Sequence, residues 1–294
     1  MADPRPRALW KISNQLSTFQ SGIFTENCVV LAEGCFCEGI FKAKAVGLPP
    51  IEDAQKTRDF FGPINIFGGS AKQCVKSISK LVEIERKQCS AAFVILSDVW
   101  LDDNLVNGFK ALVDLIQEFP LIVQQSHFIF VPSLQDHLLN GIFPKPPLPS
   151  SVLSNVLSKL PRHHLATNPC RVQFFSQEIV IFREDIIEKM CRNCVKVPTD
   201  VRKLHHHFAR TILSQNHLCP LPLNVSPVYW PFDFSMQLYP IPDLIICCDK
   251  YVQYTEKFHD CIITNPGSFS TSKFIFQVYY PVNKEVDDSS LPED

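Results

Sequence analysis

The chain has 294 residues, of which 46% are hydrophobic and 20% are charged, so it is long enough to bury one large core or two small ones. Its 28 Lys and Arg against 30 Asp and Glu give a formal net charge of −2. This excludes the surplus of positive charge that strong autonomous binding to nucleic acid requires. No apolar stretch reaches the length of a membrane span, and the N-terminus "MADPRPRALWK" lacks the apolar segment of a secretory signal.

The first predicted elements form a small β unit. Residues 17–48 consist of short apolar runs broken by glycines, and "CVVLAEG" and "GIFKAKAVGL" predict two of its strands. The polar stretch over 49–63 is bounded by prolines, which suits a connection between two domains.

After this connection, predicted strands alternate with predicted helices. The strands are "NIFGG", "AAFVILS", "HFIFVP", "RVQFF", "EIVIF", "DLIICC", "CIIT" and "KFIFQVYY". Of these, "AAFVILS" is a continuous apolar run, typical of a strand buried on both faces. Helices are predicted over 72–87, over 105–119, near 184–193 and near 205–214. The first places Val75, Ile78, Leu81 and Val82 on one face, and the second carries one apolar stripe of Leu105, Phe109, Leu112, Val113, Ile116 and Phe119.

This order predicts an α/β fold, or α+β overall, in which a β part is followed by a layered sheet with helices on its faces. Two further segments lie outside the pattern. The proline cluster "FPKPPLPSS" is either a polyproline ligand or a rigid loop crossing the sheet edge, and we favour the loop because such motifs are common by chance. The acidic tail "NKEVDDSSLPED" is predicted to be frayed.

The string "FVILSDVWLDD" is an apolar strand followed by two carboxylates, Asp98 and Asp102. Two-metal phosphoesterases hold their first ligand in this way, and each ion then needs further nitrogen or oxygen ligands from neighbouring loops. The expected Gly-Asn-His-Asp and Gly-His-x-His motifs are absent. The chain instead carries Ser133, Leu134, Gln135 and Asp136 at one strand end, and Cys247, Cys248, Asp249 and Lys250 at another. We therefore predict no catalytic, cofactor-binding or metal-binding residue.

Trp100 stands where the Ser-Asp-x-His motif of these enzymes has its histidine. An indole offers only an N–H donor and cannot bind a metal. We predict that the ring is mostly buried and fills the space that ions and water occupy in an active site. Truncation to Ala is then expected to cost about 3–5 kcal/mol.

Other chemistry-bearing residues form no complete site. The twelve cysteines are read as reduced thiols, because the chain is large and lacks a secretory signal. "CRNC" (191–194) and "HHH" (205–207) resemble a Cys₂His₂ zinc site, but the outer histidines are separated by one residue instead of three to five. His217 is expected to be a hydrogen-bonding packing element, and Asn265-Pro266-Gly267 a turn. "FGGS" lacks the Gly-Lys-Ser/Thr of a P-loop.

Several strings of the chain match one family in the same order along the sequence. They include "SGIFTENCVVLAEG", "FFGPINIFGG", "FVILSDVWLD", "TNPCRVQFFSQEIVIFREDIIEKMCRNCVKVP" and "TILSQNHLCPLPLNVSPVYWPFDFSMQLYPIPDLIICCDKY". From about Ser17 to Tyr280 the chain resembles the non-catalytic B subunits of eukaryotic DNA polymerase epsilon, within the polymerase alpha/delta/epsilon B-subunit family.

The resemblance implies a fold and a role. It divides the chain into an unmatched N-terminal segment (1–16), a partial OB fold with a linker (17–62), an inactive calcineurin-like phosphoesterase domain (63–282) and an acidic tail (283–294). It implies a nuclear scaffold without enzymatic activity that binds the zinc-containing C-terminal module of the catalytic subunit. Smaller accessory subunits and replicative helicase components are the other implied partners, with DNA bound weakly or through the complex. The alternative is an active metal-dependent phosphoesterase.

The chain also departs from the family. The OB fold lacks its first strands, and "SDVWLDD" runs directly into "LVNGFKALVDLIQEFP" where the family has another helix and a central strand. The loss of a central strand is expected to leave backbone unpaired or to force two strands to pair anew. These departures predict a splice form or an incomplete gene model whose assembly into the complex is impaired.

Overall fold

The computed structural model describes residues 10–11, 18–65, 79–101, 104–133, 136, 141–198 and 200–292. These residues form a mixed α/β fold, which confirms the predicted class. Several predicted features lie outside the described residues: Val75, Ile78, Asp102, Leu134, Gln135, "FGGS" and "NIFGG" beyond its first residue.

A small sheet stands at the N-terminal end. Its strands are β1 (Trp10–Lys11), β2 (Thr18–Phe19), β4 (Leu31–Cys37) and β5 (Ile40–Gly47). β5 pairs with β4 antiparallel and with β1 and β2 parallel. The β4–β5 hairpin turns at Glu38 and Gly39, which both have positive φ, the conformation of the tightest hairpin turns. The two predicted strands therefore form, although β4 begins three residues later than predicted.

The connection after this sheet contains a helix that was not predicted from the sequence. Helix α1 (Ala54–Phe61) begins at Asp53, whose side chain accepts a hydrogen bond from the Lys56 N–H at 3.2 Å. Arg58 forms a 2.9 Å salt bridge with Glu178 of the main body. The segment is thus packed against the main body and is not a free linker.

A five-stranded sheet forms the centre of the molecule. In spatial order its strands are β13 (Tyr254–Phe258), β14 (Cys261–Asn265), β12 (Leu244–Cys248), β10 (Gln177–Arg183) and β9 (Cys170–Phe174). β10, β12 and β14 are parallel, and the two outer strands are antiparallel to their neighbours. The carboxyl ends of the three parallel strands consequently meet at one edge.

A second, three-stranded antiparallel sheet corrects two predictions. It consists of β16 (Glu285–Ser290), β15 (Ile275–Tyr280) and β6 (Phe93–Ile95) in that order. The acidic tail is not frayed over 285–290, because six residues of β16 pair in register with β15. Among the described residues β6 pairs only with β15, and its Val94 side chain is 61% exposed, so the prediction that "AAFVILS" is buried on both faces was wrong.

The two sheets pack face to face, and the alternation of side chains along β10 shows how. Ile179 and Ile181 join Ile95 and Tyr279 of the smaller sheet in one core cluster. The intervening residues of β10 point to the opposite face and pack among the helices. Because both faces are covered, the strand reads as a continuous apolar run.

Helices and short strands complete the structure. The remaining elements are β3 (Phe24–Thr25), α2 (Ser79–Arg86), α3 (Leu105–Gln117), α4 (Pro120–Gln125), β7 (Phe128–Phe130), α5 (Ser150–Leu157), β8 (His163–Leu165), α6 (Ile186–Arg192), β11 (Cys194–Lys196) and α7 (Leu204–Gln215), with 3₁₀ helices at Val201–Lys203 and Trp230–Met236. α3 starts at Asn104, which caps two N–H groups, and buries Phe109 and Val113 as its predicted stripe requires. Among the described helices, none is long and apolar enough to cross a membrane.

Candidate functional site

Asp98 lies three residues beyond β6 and reaches the edge where the parallel strands of the central sheet end. Its Oδ1 accepts a 3.1 Å hydrogen bond from Nη2 of Arg183, the last residue of β10. Its Oδ2 accepts a 2.7 Å hydrogen bond from the Ser268 hydroxyl. The backbone of Asp98 is left-handed, with φ of 56°, a conformation that aspartate tolerates better than most residues.

The guanidinium of Arg183 is the centre of this cluster. Besides Asp98, it donates to Asp185 Oδ1 at 2.7 Å and to the backbone carbonyl of Cys248, at the end of β12, at 3.2 Å. Lys250 lies beyond it, with its Nζ 3.6 Å from the second oxygen of Asp185. Two carboxylates and two cations thus neutralise each other at the edge of the sheet.

Asp249 and Asn265 occupy the same edge but serve the backbone. Asp249 accepts from the N–H groups of Ile187 at 2.9 Å and Tyr251 at 2.8 Å, and Asn265 accepts from the N–H of Asp249 at 3.1 Å. The Asn265 amide also donates to the carbonyls of Tyr251 and Val252, in the loop between β12 and β13. Both side chains are used to hold loops in place.

The pKa values of Asp98 and Asp249 are shifted in opposite directions. Burial raises the pKa of Asp98, but hydrogen bonds from Ser268 and Trp100 and the charge of Arg183 act the other way, and the net pKa shift is downward. Burial raises the pKa of Asp249 to about 6, because the N–H groups of Ile187 and Tyr251 offset only part of it. Asp98 is therefore an ionised partner of a fixed cation.

Trp100 is not buried, and the prediction that it fills the cavity was wrong. Its side chain is 65% exposed, and its Nε1 donates to Asp98 Oδ1 at 3.2 Å. The place next to the Asp98 carboxylate is taken by the guanidinium of Arg183, which leaves the indole on the outside. The predicted loss of about 3–5 kcal/mol on truncation of Trp100 to Ala therefore does not apply, since that figure holds for a buried ring.

Two buried polar residues near this edge, Asn168 and Lys145, were not predicted from the sequence. Asn168 is fully buried; its amide donates to the carbonyls of Pro132 and Arg183, and its oxygen accepts from the Arg183 N–H. Lys145 exchanges two backbone hydrogen bonds with Asn168, and its Nζ donates to Ser133 at 3.0 Å. In the sequence, Asn168 stands in "TNPC" and Lys145 in "FPKPP", where a polar residue next to proline could have marked a fixed turn. The favoured rigid loop is supported for the latter, because Lys145 is held at both its backbone and its side chain.

The histidines and half-buried cysteines are not brought together. Cys191 lies in the last turn of α6, and Cys194 donates to its carbonyl at 3.0 Å. His205 and His206 contact Glu256 at 3.2 and 3.0 Å. In the part of the chain that the structure describes, no group of three or more His, Cys, Asp or Glu side chains could hold a metal ion.

Two smaller predictions are confirmed by the geometry. His217 accepts from the Cys219 N–H at 3.0 Å and contacts Asp233 at 3.3 Å, so it is a hydrogen-bonding packing element. Gly267 has a φ of 75°, as the predicted turn after Asn265 requires.

Comparison with solved structures gives weak similarity. An archaeal phosphodiesterase superposes with a TM-score of 0.35 at 11% identity, covering 68% of this chain and all of that chain. Vps29 of Entamoeba histolytica, in complex with zinc, superposes with a TM-score of 0.29 at 9% identity, covering 68% and 97%. Scores at this level carry no argument about fold or function.

Sequence comparison with curated proteins gives strong similarity. DNA polymerase epsilon subunit 2 of Mus musculus is 42% identical over 312 residues, and that of Drosophila melanogaster is 35% identical over 312 residues. The chain spans 59% of the length of each of these relatives, and the matches cover 93% and 94% of the chain. The alignment with the mouse protein includes 93% of this chain, or about 273 of its 294 residues. About 39 of the 312 alignment positions therefore have no counterpart in this chain.

A family model for the B subunit of DNA polymerases alpha and epsilon matches residues 83–256, which is more than half of the chain. That stretch includes β6, β10, β12 and the Asp98–Arg183 ion pair. The family predicted from the sequence is thus confirmed. The chain belongs to the DNA polymerase alpha/epsilon B-subunit family.

Proposed function

We propose that this chain is a non-catalytic accessory subunit of the DNA polymerase epsilon complex. Its relatives carry the name DNA polymerase epsilon subunit 2. It would act in the nucleus as a scaffold for the C-terminal zinc module of the catalytic subunit. The smaller accessory subunits and replicative helicase components are further partners. DNA would be bound weakly or through the complex.

The observation that carries the non-catalytic part is the ion pair between Asp98 and Arg183. A two-metal site needs a carboxylate that is free to bridge two cations. Here both oxygens of Asp98 accept hydrogen bonds from protein side chains, and a permanent cation lies 3.1 Å away. This supports a phosphoesterase-like domain whose metal ligands have been replaced. We further propose that the N-terminal sheet is a partial OB fold joined to this domain.

The scaffolding part is supported by an exposed aromatic surface. We define it by five residues in or beside the second 3₁₀ helix: Tyr229, Trp230, Phe232, Phe234 and Tyr239, each at least 47% exposed. The segment is not loose, because Met236 and Leu238 within it are fully buried. A rigidly held group of large exposed aromatic side chains is typical of a protein interface.

The runner-up is an active metal-dependent phosphoesterase. It predicts manganese-dependent hydrolysis of a model phosphodiester that disappears in Asp98→Ala. The scaffold predicts no hydrolysis above that variant. For the scaffold we also expect a low affinity for DNA, because the chain has a net charge of −2.

Co-purification with the C-terminal region of the catalytic subunit tests the scaffold. We expect the chain to co-purify, and the double variant Trp230→Ser and Phe234→Ser to lose at least tenfold in affinity, because buried aromatic anchors dominate interface energetics. The matched control is Leu121→Ser on α4, an equally exposed apolar side chain at 70%. Circular dichroism monitors folding of each variant. Failure of the wild-type chain to bind contradicts the scaffold, and equal loss in both variants contradicts the aromatic surface.

A further inference from the structure

Three consecutive histidines (205–207) stand in the first turn of helix α7, and the last of them holds the backbone of the N-terminal part. His207 Nδ1 accepts a hydrogen bond from the Gly22 N–H at 3.0 Å, and the Ser21 hydroxyl lies 2.9 Å from the same nitrogen. Ser21 and Gly22 connect β2 of the N-terminal sheet to β3, which pairs with β11. The contact therefore stands at the junction between the N-terminal sheet and the rest of the chain.

His207 can hold this backbone group only while its ring is neutral. An imidazole nitrogen without a proton is an acceptor, whereas both ring nitrogens of a histidinium ion are donors. Protonation of Nδ1 would place one donor against another, the Gly22 N–H. Thr211 and Gln215, which bind the next residues of the same segment, carry no titratable group. Of these three side chains, His207 is thus the one that acid can release.

The surroundings of His207 favour the neutral ring. The side chain is half-buried, and burial lowers its pKa below the usual value of 6.5. The charges of His206, Arg210 and His205 on the same helix lower the pKa further, whereas Asp200 acts in the opposite direction. The net shift is downward, so the ring is neutral at pH 7 and the hydrogen bond to Gly22 is intact.

Two further charged groups, Lys203 and Glu256, line with His207 a cavity of about 460 Å³. Glu256 of β13 is bound by the other two histidines, His205 to Oε1 at 3.2 Å and His206 to Oε2 at 3.0 Å. Protonation of those two rings would turn their contacts with Glu256 into ion pairs. Acid thus strengthens the attachment of β13 to α7, while it weakens that of residues 21–22.

We propose that the contact between His207 and Gly22 is a pH-sensitive attachment of the N-terminal sheet, which is closed while His207 is neutral and opens when Nδ1 takes up a proton. The proton comes from solvent, and the hydrogen bond from Gly22 is what it displaces. Because the pKa of His207 in the folded chain lies below 6.5, the attachment is complete above about pH 6.5 and is lost as the pH falls through the folded value. This device is independent of the proposed scaffold function.

Hydrogen exchange of the full chain tests the attachment, measured at about pH 7.5 and about pH 5 and corrected for the intrinsic effect of pH on exchange. In the wild type we expect exchange of residues 21–23 to rise on the order of five- to tenfold at the lower pH, while β12 in the central sheet keeps its protection. His207→Asn offers an amide oxygen near the position of Nδ1 and does not titrate, and His207→Leu has no acceptor. Both variants should lose the pH dependence, because neither side chain takes up a proton.

His259→Asn is the matched control, because it removes an exposed histidine by the same substitution and should keep the wild-type response to pH. The proposal is overturned if residues 21–23 of the wild type exchange equally at the two pH values, or if either His207 variant keeps the pH dependence. It is also overturned if β12 loses protection in the same measure as residues 21–23, since that result would be a general unfolding in acid.

Discussion

Among single residues, the Asp98–Arg183 ion pair dominates the candidate site. The two side chains are only 4% and 8% exposed, and Arg183 also serves Asp185. Removing one partner of a buried pair leaves an uncompensated charge, whose desolvation is costly even where the intact pair contributes little. Arg183 thus acts as a built-in cation for carboxylates that would otherwise repel each other.

Arg183→Ala is expected to lower the free energy of unfolding by about 3–5 kcal/mol, because Asp98 and Asp185 lose their buried cation. Urea denaturation followed by fluorescence measures the change. The matched control is Arg192→Ala, which breaks an exposed pair with Glu188 and should cost less than about 1 kcal/mol. Equal losses in the two variants would contradict a structural role for Arg183.

Among the elements, helix α7 holds the chain over 22–29 in place through one polar stripe. His207, Thr211 and Gln215 follow each other at four-residue spacing and lie on one face. They hydrogen-bond the chain from Gly22 to Val29: Gly22 N–H to His207 at 3.0 Å, and Val29 N–H to Gln215 at 2.7 Å. A neighbouring face of the helix is apolar and fully buried. The polar stripe therefore binds the backbone of residues 22–29, while the apolar face packs in the core.

Thr211→Val is expected to lower the free energy of unfolding by about 1–3 kcal/mol. The change keeps the shape but removes the hydroxyl that accepts from the buried Ile23 N–H at 2.8 Å, which is left unsatisfied. Thermal and urea denaturation measure the loss, and limited proteolysis should show faster cleavage near Ile23. Thr211→Ser keeps the hydroxyl and should lose less. A valine variant as stable as wild type would show that the stripe does not hold the segment.

Across the whole molecule, charge is balanced and locally paired. The net charge is −2, and two of the cations near the candidate site, Arg183 and Lys250, already face Asp185. Nucleic-acid affinity depends on how many phosphates free cations can neutralise. The chain has no surplus to offer.

The isolated chain is expected to bind a short DNA duplex only weakly, and to release it when salt rises from about 50 to 200 mM. Fluorescence anisotropy over that range gives both the affinity and the salt slope. The same titration with a scrambled duplex is the control for sequence preference. Nanomolar, sequence-specific binding at physiological salt would argue against a scaffold.

Much of the fold follows from patterns that are local in the sequence. The apolar runs of β10, β12 and β14 and the helical stripe of α3 predicted their elements, because period and length are properties of a few neighbouring residues. The family and the lack of the expected ligand motifs were also readable, since both depend on residue identity alone. Helix α1 was missed because its sequence is polar and short, and its packing depends on the distant Glu178.

Burial at the sheet edges was decided by tertiary structure alone. The run containing Val94 reads as a core strand, yet β6 pairs only with β15 among the described residues and exposes that side chain. The acidic tail reads as disordered, yet β15 offers it an open edge. Trp100 reads as a cavity filler, yet the guanidinium of Arg183, 85 positions after Asp98 in the chain, lies against that carboxylate instead. Residue types determined that the expected ligand motifs are absent, because motifs depend on identity and spacing alone; that Arg183 lies against Asp98 depended on strands that meet only in the folded chain.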